Sequence, residues 1–223
     1  MPRTKLKRFA EIKTLPNIVT LNEELEPGWL RGYFENERPV TLELACGWGE
    51  YTLNLAKWFP ERHFVGVDLK GERLWKGAKI ALQENLHNVV FLQRDIAQLA
   101  DCFPEKSVEE IWLPFPDPRP KKRHLKHRLT APRFLHVYRR ILRTGGRVHL
   151  KTDDDGLYEF TLEALRAENA VVHTALTDLY SADIHETWSE KPKSLPEGVS
   201  PRASQYRVCS ARTPSRREAH FPT

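Results

Sequence analysis

Five acidic residues in this chain stand just inside or just after a short apolar run: Glu43, Asp68, Asp95, Asp117 and Asp153. The runs are Val40-Thr-Leu-Glu-Leu44, His63-Phe-Val-Gly-Val-Asp68, Asn88 to Asp95, Glu110-Ile-Trp-Leu113 and Arg147 to Thr152. Carboxylates gathered at one place repel one another, so fold stability alone does not collect them. Such a set suits a ligand that is cationic or rich in hydroxyls. Asp117 has the most distinctive surroundings: it lies between Pro116 and Pro118, which limit the freedom of its backbone.

Beyond Asp117 the charge reverses. From Pro118 to Thr152 there is no Asp or Glu, and the window holds twelve of the 35 Lys and Arg residues. The chain as a whole is +5, so the other 188 residues carry 23 basic against 30 acidic side chains. An acidic body with one basic strip suits a polyanion lying across one face. His124 and His127 lie within the strip with no carboxylate or cysteine nearby in sequence, which favours RNA contact or plain surface over metal ligation.

The turn Ala45-Cys-Gly47-Trp-Gly49 follows the first apolar run and lacks the full G-x-G-x-x-G spacing. Its glycines permit close backbone approach to a nucleoside, and Asp68, about twenty residues on, can accept hydrogen bonds from ribose hydroxyls. Glu43, directly before the turn, disfavours a diphosphate and favours a ligand with an ammonium group. S-adenosylmethionine meets that description, with an amino acid, a sulfonium and an adenosine. Trp48 is the aromatic expected to cover the ligand, whereas Phe91, Trp112 and Tyr138 are expected in the core.

The elements that must position these residues alternate in type. Strands end near Leu44, Asp68, Asp95, Leu113 and Thr152, with a sixth near Val171–Leu176. Helices run from the glycine turn to Phe59, from about Glu72 to Asn85, from Pro132 with Thr130 as N-cap to Gly145-Gly146, and from about Gly156 to Glu168. Alternation of this kind predicts an α/β fold with a mostly parallel, doubly wound sheet, helices on both faces and every strand's C-terminal end on one rim. Three segments are expected: a basic N-terminal arm and connecting segment (1–38), the α/β domain (39–188) and an irregular C-terminal tail (189–223). Three widely spaced cysteines without a Cys-x-x-Cys pair indicate neither a disulfide framework nor a zinc cage, so the cytoplasm is the expected compartment. No apolar window approaches the length of a membrane span.

Several motifs together resemble the bacterial tRNA (guanine-N7)-methyltransferase family. They are Leu42-Glu43-Leu-Ala-Cys-Gly47-Trp-Gly49-Glu50, Val65-Gly-Val-Asp68, Phe115-Pro-Asp117-Pro-x-Pro-Lys121-Lys-Arg-His124, Arg128-Leu-Thr130 and Lys151-Thr-Asp153. The resemblance implies a Rossmann-like class I methyltransferase fold, S-adenosylmethionine as methyl donor, tRNA as partner and no metal. It implies that Glu43, Gly47, Gly49, Asp68, Asp95 and Asp117 bind the cofactor, with Asp117 also the catalytic residue. Lys121, Asp153, Thr187 and Glu190 are implied to bind substrate. Arg123 to Arg128 match the family's RNA-touching segment, and with the neighbouring cations the residues expected to touch RNA are Arg119, Lys122, Arg123, His124, Lys126, His127 and Arg128. No protein partner is implied, and monomer and homodimer both remain open. Ala45 stands where the family usually has glycine, and Arg119 where it usually has a bulky residue such as Trp. The stretch after Glu190 does not resemble the family's closing strand. Residue chemistry alone leaves two other readings: a methyltransferase acting on another structured RNA, and a non-catalytic RNA-binding protein of the same fold.

Overall fold

The structure, a computed structural model, describes residues 8, 10–21, 24–26, 28–34, 36–177 and 207–212. The strands are β1 (Ile18–Val19), β2 (Val40–Leu44), β3 (His63–Asp68), β4 (Val89–Gln93), β5 (Val108–Pro114), β6 (Leu142–Thr152), β7 (Val171–Leu176) and β8 (Arg207–Arg212). Among the described residues they form one sheet in the order β1-β4-β3-β2-β5-β6-β8-β7. Every pairing from β1 to β6 is parallel; β8 runs antiparallel between β6 and β7.

Alternation along the strands decides which side chain meets which layer. Leu42 and Leu44, Val65 and Val67, Val90 and Leu92, and Ile111 and Leu113 enter one buried cluster, with Phe134, Leu135, Tyr138 and Ile141 from α3 (Pro132–Ile141) and Leu157 and Leu165 from α4 (Asp155–Ala167). Phe64, Phe91 and Trp112 enter the other cluster, with Leu53, Leu55 and Ala56 from α1 (Glu50–Trp58) and Leu74, Ala78 and Ala81 from α2 (Gly71–Gln83). Helices therefore cover both faces, and Phe91, Trp112 and Tyr138 are core residues as expected. Phe91 explains two glycines: a Cβ on Gly66 would lie 2.8 Å from its ring, and one on Gly49 would collide with it.

Four boundaries differ from the sequence reading. The residue before α3 in N-cap position is Ala131, not Thr130, whose hydroxyl instead meets that of Thr161 at 2.8 Å. Helix α3 ends at Ile141 rather than at the glycine pair; Gly145-Gly146 lies within β6, where the register against β5 jumps from Val108↔Leu142 to Glu110↔Arg147. Leu142 continues the apolar spacing of the helix while already being a strand residue, which is why periodicity overran the boundary. The flanks also join the sheet. β1 comes from the 1–38 stretch, and β8 lies in the 189–223 stretch expected to be irregular. Two residues are too few to show a period, and Arg-Val-Cys-Ser-Ala-Arg mixes polar and small residues in a way that imitates a loop.

The strand order reverses between β2 and β5. In sheets of this kind ligands bind beyond the carboxyl ends of the strands at such a switch point. Along the rim the acids follow the strand order: Asp95, Asp68, Glu43, Asp117, Asp153.

Candidate functional site

The glycine turn is built around two carboxylates. Glu43 is 5% exposed, and its Oε2 accepts hydrogen bonds from the Thr52 backbone N–H at 2.6 Å and from the Thr52 hydroxyl. It thus caps the first turn of α1 from the neighbouring strand, and its Oε1 makes no hydrogen bond among the described residues. Asp68 receives Gly47 N–H on Oδ2 at 3.0 Å and Lys70 N–H on Oδ1 at 2.8 Å, with Arg73 Nη1 3.9 Å from Oδ2. Ala45, Gly47 and Gly49 all take positive φ, 55°, 58° and 76°. Gly47 fits a bound nucleoside: a Cβ there would meet nothing within 4 Å, so open space lies above the turn. Trp48, in the same turn, is half exposed, with Lys76 Nζ 3.2 Å from its ring centroid. Asp95, at the far end of this half of the rim, is exposed and caps a short 3-10 turn by accepting Ala97 N–H at 2.9 Å.

On the other side of the switch point, β5 delivers the Asp117 loop. Phe115 N–H donates to the Lys151 carbonyl at 2.8 Å, which ties the loop to the end of β6. Phe115 and Arg119 both take positive φ, 51° and 48°, so two residues without glycine's freedom bracket the exposed carboxylate. Strain of this kind persists where surrounding contacts hold it, and it gathers at functional sites. Arg119 is among those contacts: its N–H donates to Asp117 Oδ1 at 3.1 Å, and its Nε lies 3.0 Å from Oδ2. Asp153 is exposed just after β6, while its neighbour Asp154 caps α4 through Leu157 N–H at 2.6 Å.

The basic run folds as a 3-10 helix, Lys122–His127. Lys121, Lys122, Arg123, Lys126 and His127 are exposed, and His124 is half-buried. Arg128, grouped with them in the sequence reading, points inward instead. It is 6% exposed, donates to the Pro118 carbonyl at 2.8 Å and the Gly156 carbonyl at 2.9 Å, and lies over the Phe160 ring. Its charge clamps the Asp117 loop to α4. Arg133 on α3 takes its place in the cluster: desolvation and then the cations Arg133, Lys126, Arg119 and His124 push the His127 imidazole below its ordinary value. The acid-free window contained the signal for Arg133, although the motif did not. Thr52 escaped notice because its role depends on a tertiary bond to Glu43. Thr187 and Glu190 lie outside the described residues. Among those residues, no group of three or more His, Cys, Asp or Glu could hold a metal ion.

A class I methyltransferase fold carries this site. Solved structures share the fold at low sequence identity. The 16S rRNA methyltransferase KamB aligns with a TM-score of 0.59 at 15% identity, covering 89% of this chain and 99% of that one. A 16S rRNA (adenine(1408)-N(1))-methyltransferase from Catenulisporales acidiphilia, solved with its cosubstrate SAM, aligns at 0.59 and 14%, covering 90% and 96%. The profile of a family described as "Putative methyltransferase" matches residues 37–196. Porphyromonas gingivalis has a tRNA (guanine-N(7)-)-methyltransferase 44% identical over 179 residues, 78% of this chain and 72% of the relative. Proteins of the same name from Christiangramia forsetii and Listeria monocytogenes are 40% and 34% identical over 80% and 81% of this chain, and over 83% and 86% of their own. The chain belongs to the tRNA (guanine-N(7)-)-methyltransferase family. It is a methyltransferase. No helix among the described residues is long and apolar enough to cross a membrane.

Proposed function

We propose that this protein transfers a methyl group from S-adenosylmethionine to N7 of a guanine in tRNA, the variable-loop guanine-46, giving 7-methylguanosine. The observation that carries this reading is the adjacency, at one switch point, of a phosphate-averse glycine turn and an exposed carboxylate that opens a basic surface. The cofactor is held at the turn by Gly47, Gly49 and Asp68, with Glu43 beneath and Asp95 at the outer end. The RNA backbone lies along Lys121, Lys122, Arg123, Lys126 and Arg133, and Asp153 stands on the guanine side. We place the reaction in the cytoplasm, where the buried free thiols of Cys46 and Cys102 stay reduced.

Little acid-base chemistry is required. Guanine N7 has an in-plane lone pair and is unprotonated at neutral pH, so it attacks without first losing a proton. When bound, S-adenosylmethionine supplies a methyl on a sulfonium; the nitrogen–carbon bond forms as the sulfur–carbon bond breaks, and the electron pair stays on sulfur. The chain's own residues position the base and stabilise the purine as it becomes cationic. Asp117 supplies that negative charge from a loop already held by Phe115, Arg119 and Arg128. Holding the reacting atoms at near-attack distance contributes about 7–11 kcal/mol.

The test uses unmodified tRNA and methyl-labelled S-adenosylmethionine. Label is expected in tRNA, with chain cleavage at 7-methylguanine mapping to guanine-46, and none when adenine replaces that guanine. Label elsewhere would assign a different target.

A further inference from the structure

Lys151 is the next-to-last residue of β6 and pairs in register with Pro114, the last residue of β5. It is 6% exposed, and its Nζ lies 5.7 Å from the Tyr51 ring centroid and 5.3 Å from that of Phe115. Tyr51 is the second residue of α1, just after the glycine turn; Phe115 begins the Asp117 loop. One amine is therefore held between the cofactor half and the base half of the rim. Its face of the sheet is the one that carries Glu43: Trp112, in register with Glu43, stacks on His149 at 4.3 Å, and Lys151 is two residues further along the same strand. Phe115 is 42% exposed and offers a surface on which a purine can stack.

We propose that Lys151 selects guanine by donating a hydrogen bond to O6, the acceptor beside N7. Adenine carries an amino donor at that place, which faces Lys151 donor to donor. Lys151 leaves N7 itself unbonded, as methylation requires. Burial pushes the Lys151 pKa down, yet either protonation state retains N–H bonds to donate. The proposal rests on the guanine-N7 reading above.

The experiment compares the full-length enzyme with Lys151→Met on two tRNAs, one with guanine at the target position and one with 2-aminopurine, which lacks O6. Wild type should favour guanine by about 10–100-fold in kcat/KM. In Lys151→Met the guanine rate should fall by that factor while the 2-aminopurine rate holds, so the preference collapses toward one. Calorimetric affinity for S-adenosylmethionine should change less than about twofold. Equal losses on both tRNAs would make Lys151 a packing residue, and a parallel loss of cofactor affinity would make it a partner of the cofactor carboxylate; either overturns the proposal. Should Lys151→Met fail to fold, wild type can still overturn the proposal, because equal rates on guanine and 2-aminopurine remove any reader of O6. Absence of 7-methylguanosine from wild type on the guanine tRNA would instead overturn the functional reading itself.

Discussion

Arg119 grips both oxygens of Asp117, its backbone N–H on Oδ1 at 3.1 Å and its guanidinium Nε 3.0 Å from Oδ2. The pair is exposed, 42% and 64% for the two side chains, so it contributes only about 0.2–1 kcal/mol to stability. Its value lies in orientation. Arg119→Ala should leave the melting temperature and cofactor affinity close to wild type while kcat falls about tenfold, because a carboxylate free to rotate loses pre-organisation. Asp117→Ala should abolish methyl transfer while tRNA still binds. Steady-state kinetics with a thermal melt check the first, and single-turnover assays with a filter-binding control check the second. An unchanged kcat in either variant would remove that residue from the mechanism.

Glu43 gives the pH dependence. Burial pushes it up to about 7, against the hydrogen bonds from Thr52, with Glu50 and Asp68 adding repulsion. In the proposed role, the Glu43 carboxylate that would face a ligand ammonium forms only as pH rises toward that value. S-adenosylmethionine affinity should tighten about fivefold between about pH 6 and about pH 7, and Glu43→Gln should flatten the trend. Folding stability runs the other way. The folded state holds this proton more tightly than the unfolded one, so stability falls as pH rises from the ordinary carboxyl value to about 7. Calorimetric titration and chemical denaturation across the same pH series read the two slopes. Parallel slopes would contradict the assignment.

Salt separates the surface cations from the buried one. With four to six phosphate contacts from the basic cluster, log affinity for tRNA should fall against log salt with a slope of about −3 to −5, and removing Lys122 or Lys126 should lessen it by about one. Arg128→Ala should leave the slope intact and instead cost about 2 kcal/mol of stability through its lost carbonyl bonds. Fluorescence anisotropy across a salt series, beside a melt, makes the comparison.

Ala45 holds a left-handed backbone at φ 55° without being glycine. Such a residue costs roughly 1 kcal/mol, so Ala45→Gly should stabilise the protein by up to about that amount with turnover unchanged. Gly77 is the opposite case. A Cβ there would collide with the Trp48 carbonyl oxygen, and Gly77→Ala should displace the turn and weaken cofactor binding. Melting curves and calorimetry read both changes.

Much of the fold was legible because the strands β2 to β6 and the helices between them are strongly patterned, and the rim acids mark where the strands end. What escaped depended on partners distant in sequence. Arg128 reads as one more cation in a basic run, and only the positions of the Pro118 and Gly156 carbonyls turn it inward. Glu43 reads as a ligand acid, although Thr52 claims one of its oxygens. Strand β8 has no apolar period of its own and becomes a strand by inserting between β6 and β7. Gly145-Gly146 carries a helix-ending signal that the chain spends on a register shift within β6.

The central claim is chemical: the methyl group goes to N7 of guanine, at a site where Asp117 meets a basic surface. The direct measurement is nucleoside analysis of tRNA after reaction with the enzyme and methyl-labelled S-adenosylmethionine. All label should elute as 7-methylguanosine. Label in 1-methyladenosine or 1-methylguanosine, or no label in tRNA, would contradict it.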